Sequence, residues 1–470
     1  MAPLRSAVVL LCGILSLASI RVNSAGSLQK LNCETKHQVC YLKDIYATEE
    51  DRFKDVHNGS FMDSIEFVDC HIHTLPKMPF VKKITARAQH LERIDDRTFS
   101  TVKHLDVSHN RLTEFSARAF EWPAELQTLV LSGNNLLKDL SVVSRLSGLI
   151  DLKMMQMNLD LTLVDKEIFS KMSRLKRLNL SDNNIQSIPV GIFNKLESLE
   201  SLDLSRNSIS RVHSGAFVVN FRPIDSELET YHQFSINLAS NNISIVENDA
   251  FLVVDSVDFT DNKLIGIGQS AFSNKSNLGT LIISKNRQLK NFNFLQNLPT
   301  LHTLIMSEMD FTFRDIPLQI FSKLDLLTTL DLSHNNIDQI PIGVFAELSS
   351  VNFVNLRHNR IWTIEFGTFS IRKYDLIDEI DLSYNQIENL NYLVFVPLKY
   401  LRTLLLHGNS LNYVSTHQLK RNKSLQNLGI QNNPVRCEDL IDLLASFKLV
   451  LDENGFAANV TNVNGIKCSA

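Results

Sequence analysis

Long apolar runs are missing from most of this 470-residue chain. Beyond residue 20 no stretch approaches the ~20 consecutive apolar residues of a membrane-spanning helix, so no span is expected there. Charge of one sign is also lacking, since 47 Lys and Arg stand against 51 Asp and Glu, a net of −4. That balance demands neither nucleic acid nor an anionic membrane as partner. There is no Gly-x-Ser-x-Gly, no His-Glu-x-x-His, no phosphate loop and no dinucleotide fingerprint. Neither catalysis nor a cofactor is therefore expected. Cysteine is scarce, with six in the whole chain.

The first residues read as a processing signal. Arg5 supplies the positive start, Ala7 to Ile20 form an apolar run too short for a bilayer, and Val22 and Ser24 fit the small-residue rule before a cut. Residues 1–24 are expected to be a signal peptide, cleaved near Ser24. The chain stops two residues after Cys468 without the apolar tail of a lipid anchor. A secreted, extracellular protein follows as the expectation. Cleavage removes Cys12 and leaves an odd set: Cys33, Cys40, Cys70, Cys437 and Cys468. One local bridge at each end, Cys33–Cys40 and Cys437–Cys468, is the natural pairing.

What the chain has in abundance is one phrase, Leu-x-x-Leu-x-Leu-x-x-Asn-x-Leu. Leu175–Leu178–Leu180–Asn183–Ile185, Leu327–Leu330–Leu332–Asn335–Ile337 and Leu401–Leu404–Leu406–Asn409–Leu411 are clear copies. With weaker copies there are 16 modules, from Cys70 and Gln89 to Asn433. The Leu-x-Leu core has period two, so it is a short strand with leucines inward and the residues between them outward. The Asn follows where the chain turns, and its amide can both donate to and accept from backbone groups the turn leaves inside. Ten residues later comes Phe99, Phe120, Phe193, Phe217, Phe251, Phe272, Phe345, Phe369 or Phe395. These rings are expected to stack under the convex side, each worth roughly 1.5–3 kcal/mol of buried apolar surface.

Cys70 occupies the Asn position of its module, where Cys is an accepted alternative, and reads as a buried free thiol. Its rival is a third cysteine exchanging with Cys33 or Cys40. Met157 and Met309 replace the Asn with an apolar side chain, so those two coils must satisfy their turns otherwise, for instance with water.

A larger repeat lies above the small one. From Gln89 to Asn207 the Asn positions are spaced 21, 24, 23, 26 and 24, and from Asn241 to Asn359 the same five spacings recur in order. The offset is 152 throughout, and Lys166–Phe193 matches Leu318–Phe345 at 15 of 28 positions. Six modules are read as duplicated in a block. The 34-residue step from Asn207 to Asn241 lies at the seam and holds an insert near 218–233, either a joint or a partner-binding projection.

The phrase with Asn, a proline such as Pro189 or Pro341, and the later Phe resembles the typical extracellular leucine-rich repeat, over about Met62 to Val435. The resemblance implies an α/β solenoid: a leucine-rich-repeat horseshoe lined by a concave parallel β-sheet. An N-terminal cap would cover 25–61, the solenoid 62–435 and a C-terminal cap 436–470. The tail from Asn433 to Cys468 is similar to such a cap but lacks its usual close Cys-x-Cys pair. The layout is also similar to the secreted leucine-rich-repeat immune proteins of mosquitoes, without the coiled coil of their long members. It implies a binding or scaffold protein of innate immunity. The rival class is a matrix or cell-adhesion protein using the same face.

The strand residues between the leucines form that face, the usual binding surface of a solenoid. Most are small or polar, as at Asp106, Asp203, Asp258, Asp331 and Asp381. Ile282 and Ile305 on successive strands, Leu405 at the equivalent place further on and Phe353 one pleat earlier are the exceptions, and with Arg357, His358, Tyr384 and His407 near the following turn they form the candidate contact patch. Partners would be extracellular proteins or microbial surface molecules, with pairing to itself or another chain left open. His71 and His73 have too few neighbouring ligands for a metal site. Six sequons, at Asn58, Asn179, Asn242, Asn274, Asn422 and Asn459, are candidate glycosylation sites. A glycan on Asn179 would obstruct its strand and push binding toward the later modules.

Overall fold

A computed structural model describes the backbone of 32–34, 39–43 and 62–68, and residues 72–75, 81–221, 233–273, 276–314, 316–371, 376–451, 462–463 and 466–469. The expected signal peptide, Cys70, Asn58, Asn274, Asn459 and most of the seam insert lie outside the described residues. The chain divides into two compact units. One comprises Met1–Ser210 and Gly215–Asn237, the other Arg211–Ser214 and Leu238–Ala470.

Both units are parallel-strand solenoids built from one leucine-rich coil. Each coil contributes a short strand, three residues long in most, such as Arg177–Asn179 or Thr329–Asp331, joined in parallel to the strands of neighbouring coils. The middle residue points inward. Leu105, Leu129, Leu152, Leu178 and Leu202 do so in the first unit, and Leu281, Leu304, Leu330, Val354, Ile380 and Leu404 in the second, all buried. The two flanking residues point out, the alternation a period of two dictates.

The asparagine ladder knits coil to coil. Asn110 donates from Nδ2 to the carbonyls of Ala86 and Val107, and its Oδ1 accepts from the backbone N–H groups of Gln89 and Leu91. The same reach, back into the preceding coil, recurs at Asn207, Asn286, Asn359, Asn409 and Asn433. At the two methionine coils the protein itself accepts the N–H groups for which water was considered. Met157 and Leu159 donate to Asn183 Oδ1, and Met309 and Phe311 donate to Asn335 Oδ1.

The residue just before each ladder position has positive φ in all 15 described coils, from Ala88 (φ 57°) through His334, His358 and Tyr384 to Asn432 (φ 58°). Only Gly133 and Gly408 among them are glycine. Each of the others accepts a conformation that L-residues usually avoid, at a cost of order 1 kcal/mol.

Phenylalanines stack beneath. Phe169, Phe193 and Phe217 lie 6.1 and 6.3 Å apart in the first unit. Phe321, Phe345, Phe369 and Phe395 follow at 6.4, 5.9 and 6.0 Å in the second. Phe169 and Phe321 were not expected in this row. They sit in the long coils that follow Met157 and Met309, where the ring falls two residues later than elsewhere.

Local features recur 152 residues apart. The convex pairing of Arg93–Ile94 with Glu114–Phe115 has its counterpart in Ile245–Val246 with Gly266–Ile267, and the Phe99–Phe120 bridge in Phe251–Phe272. Towards the C-terminus the helix Cys437–Leu444 buries Leu440 and Leu443, and Cys437 is bonded to Cys468 with Cα atoms 5.0 Å apart. Cys33 and Cys40 are opposite one another in antiparallel register.

Candidate functional site

The candidate patch lies within the second unit, and register decides which of its members meet. Along the outward centre of the strands run Asp258, Ile282, Ile305, Asp331, Asn355, Asp381, Leu405 and Gly429, each beside the next. Ile282 and Ile305 are therefore true neighbours, and both are half-buried. Leu405 is separated from Ile305 by the three strands of Asp331, Asn355 and Asp381, so it does not extend that pair. Two residues earlier on each strand runs a second row: Thr280, Thr303, Thr329, Phe353, Glu379 and Thr403. Phe353 and Glu379 break a run of threonines that the repeat would otherwise continue.

Beside the strands, in the left-handed column, the rings of His334, His358 and Tyr384 form a stack. Centroids are 4.3 Å apart for the first pair and 4.5 Å for the second. The identical backbone conformation in each coil aims the three side chains alike. Gly408 is next in the column, and a Cβ there would come within 2.5 Å of Tyr384 Cδ1, so glycine leaves the ring its space. The guanidinium of Arg357 lies 4.5 Å from the Tyr384 ring centre and 3.9 Å from Asp381. Cation–π attraction and the ion pair together hold it over the ring.

His407 departs from expectation. It is 2% exposed, because Gly429 on the next strand offers no side chain and the imidazole fills that vacancy. A Cβ at position 429 would meet His407 Nε2 at 2.3 Å. His407 is thus packing, not surface, and leaves the contact patch. Sequence reasoning in turn missed His334 and Glu379. The clue to His334 was its place one residue before Asn335, the clue to Glu379 its threonine neighbours.

Electrostatically the patch is acidic with an aromatic edge. Burial holds the Glu379 carboxyl above the usual range, and repulsion from Asp381 and Asp378 raises it further. Asp378 pairs with Arg402 at 2.5 Å and Asp381 has Arg357. No described basic side chain pairs with Glu379.

The first unit is different at the places 152 residues earlier. Val130 and Lys153 stand for Ile282 and Ile305, and Ser201 for Phe353. Asp182 and Arg206 form a 3.4 Å ion pair where His334 and His358 stack. Arg177 pairs with Asp151, and Asn179 donates to Asp203, so this face is spent on internal polar contacts.

The other expectations sort by burial. Asn242 is exposed and Asn179 half-buried, its Oδ1 accepting from the backbone and hydroxyl of Ser181. Asn422 is buried. Its Nδ2 donates to the carbonyls of Phe395 and Leu398, and its Oδ1 accepts from Ser424 and Leu425. Both amide hydrogens are used inside, so this fold leaves no room for a glycan there and the expectation for Asn422 is withdrawn. His73 lies 3.0 Å from Glu92, and among the described residues no group of three His, Cys, Asp or Glu is placed to hold a metal ion. His71 lies outside the described residues. No helix among the described residues is long and apolar enough to cross a membrane.

Family comparisons agree with the geometry. Residues 81–136, 154–209, 173–219 and 312–361 match the leucine rich repeat, and 229–333 the BspA type leucine rich repeat region. Human Toll-like receptor 3 is 25% identical over 252 residues, covering 50% of this chain and 26% of the receptor. Mouse osteomodulin is 29% identical over 107 residues, 22% of this chain and 24% of that protein. The matched region thus spans about a quarter of each relative. Among solved structures, a leucine-rich-repeat protein of Leptospira interrogans aligns with TM-score 0.52 at 21% identity, over 77% of this chain and 90% of that one. The APL1 leucine-rich repeat domain aligns with TM-score 0.50 at 18% identity, over 92% and 97%. Those two likenesses concern the fold alone.

Proposed function

This chain belongs to the leucine-rich-repeat proteins, and on that footing we propose that it is a secreted binding or scaffold protein of innate immunity. It engages extracellular proteins or microbial surface molecules through the sheet face of its second unit. One observation carries the reading. The outward Ile282–Ile305 pair, the Phe353 ring and the Arg357–Tyr384 contact are features the repeat does not need, and in the first unit the places of Ile305 and Phe353 hold Lys153 and Ser201. Outward-facing, half-buried aromatic and arginine anchors beside aliphatic residues are what binding hot spots are made of. The similarity to Toll-like receptor 3 and the resemblance to secreted mosquito immune proteins support the immune role.

The test is crosslinked affinity capture of the chain from native body fluid, before and after microbial challenge. Challenge-dependent capture of immune proteases, complement-like proteins or envelope material, lost in an Ile282→Ser, Ile305→Lys double variant, is the expected result. The match to osteomodulin favours a second reading, a matrix or cell-adhesion protein. Challenge-independent capture of matrix or adhesion proteins would replace the first reading with it.

A further inference from the structure

Glu379 is the one member of its acidic trio without a described cation. Asp378 has Arg402 and Asp381 has Arg357, while Glu379 is half-buried between like charges. A carboxylate kept in such a place lowers the stability of the free protein, and folding gives no reason for it. Directly beside it, in register on the neighbouring strand, is the half-buried ring of Phe353. A phenyl face next to a carboxylate fits the two parts of a basic side chain, since a lysine or arginine has an apolar stem and a charged head. Three strands away lies Ile305, paired with Ile282. Three strand spacings are about 14 Å, which an extended segment covers in about four residues.

We propose that this face binds an extended segment of a partner protein that carries a lysine or arginine about four residues from a large aliphatic residue. The stem of the basic side chain lies on Phe353, its cation meets Glu379, and the aliphatic residue covers Ile282 and Ile305. The inference rests on the binding role proposed above and names the chemistry of its partner. The equivalent places of the first unit do not repeat it, because Lys153 and Ser201 stand where Ile305 and Phe353 do.

The experiment is to pan a phage-displayed library of random 12-residue peptides on the full chain. Enriched sequences, made synthetically, are then titrated against the natural chain and against Glu379→Gln, Glu379→Asp, Phe353→Leu and Ile305→Lys. Enriched peptides are expected to share a basic residue at that spacing from Leu, Ile or Val. Their affinity should fall roughly tenfold with Glu379→Gln and recover most of it with Glu379→Asp. Peptides without a basic residue, or a Glu379→Gln titration matching the natural chain, would overturn the inference. If Ile305→Lys alone abolishes binding, the face binds but not in this way. If no peptide is enriched, segment recognition is wrong, and capture from body fluid decides the broader role by itself. Glu379→Gln preserves side-chain shape on a strand exterior, so its thermal unfolding, read alongside, separates lost contact from lost fold.

Discussion

His334 stacks on His358 at 4.3 Å, and 152 residues earlier the same two places hold the ion pair of Asp182 and Arg206. The second unit has exchanged an internal ion pair for a run of rings ending at Tyr384. Tyr384→Ala should remove one ring contact and the seat of Arg357. The expected loss of stability is modest, about 1–2 kcal/mol, while partner capture falls strongly. Denaturant unfolding set beside capture yield checks the split, and equal loss of both would make the stack structural.

Asn335 serves two coils at once, so its removal should be severe. Asn335→Ala strands the N–H groups of Met309 and Phe311 and the carbonyls of Met306 and Leu332. A loss of about 3–5 kcal/mol in urea unfolding is expected. Asn335→Asp should still accept both N–H groups but not donate, and fall in between.

Gly429→Ala tests the packing of His407. The added methyl meets the imidazole, and overpacking of this kind costs about 1–3 kcal/mol. His407→Ala made in the same chain should restore most of that loss. Absence of rescue in the double variant would mean the two residues do not share the space.

Glu379 makes stability depend on pH in a stated direction. Its folded-state value lies above its unfolded one, so the ionised form is disfavoured by folding. Stability is greatest below the ordinary glutamate range and falls as pH rises through it toward the folded value. Glu379→Gln should match the natural chain near pH 4 and exceed it at pH 7, as read from urea midpoints. A reversed ordering would show that the carboxylate is stabilised in the fold.

Enzymatic deglycosylation with mass spectrometry should find Asn242 occupied and Asn422 never so. Asn422→Gln should instead lower stability by about 2–4 kcal/mol, because four buried hydrogen bonds are disturbed.

Periodicity made most of this architecture legible. The leucine spacing announced the inward rows, and the Asn position announced the ladder, because one residue type recurs at one fixed place. The left-handed column was invisible for the opposite reason. Its members include Ala88, Gln156, Arg206, Lys285, Glu308 and Tyr384, which share a backbone angle and no chemistry. His334 therefore went unnoticed beside His358. His407 was misplaced because its burial depends on a side chain that is absent 22 residues away, at Gly429. Leu405 looked like a partner of the isoleucines in sequence, but three polar strands intervene.

Because the ladder asparagines from Asn110 to Asn207 and from Asn262 to Asn433 reach backward, each stack has a sense. Asn409 satisfies the turn of Asn385, Asn433 that of Asn409, and among the described residues no later asparagine does so for Asn433. There the tail packs on instead, the Ser469 N–H donating to the Val435 carbonyl and the Ser469 carbonyl accepting from Cys437. Shortening a stack from its C-terminal side would orphan one buried amide at most boundaries and two before Asn110, Asn183 or Asn335, whereas shortening from the other side would leave the surviving turns supplied. Growth and loss of modules in such a chain are asymmetric, and the disulfide that fastens the tail guards the end that cannot be left open.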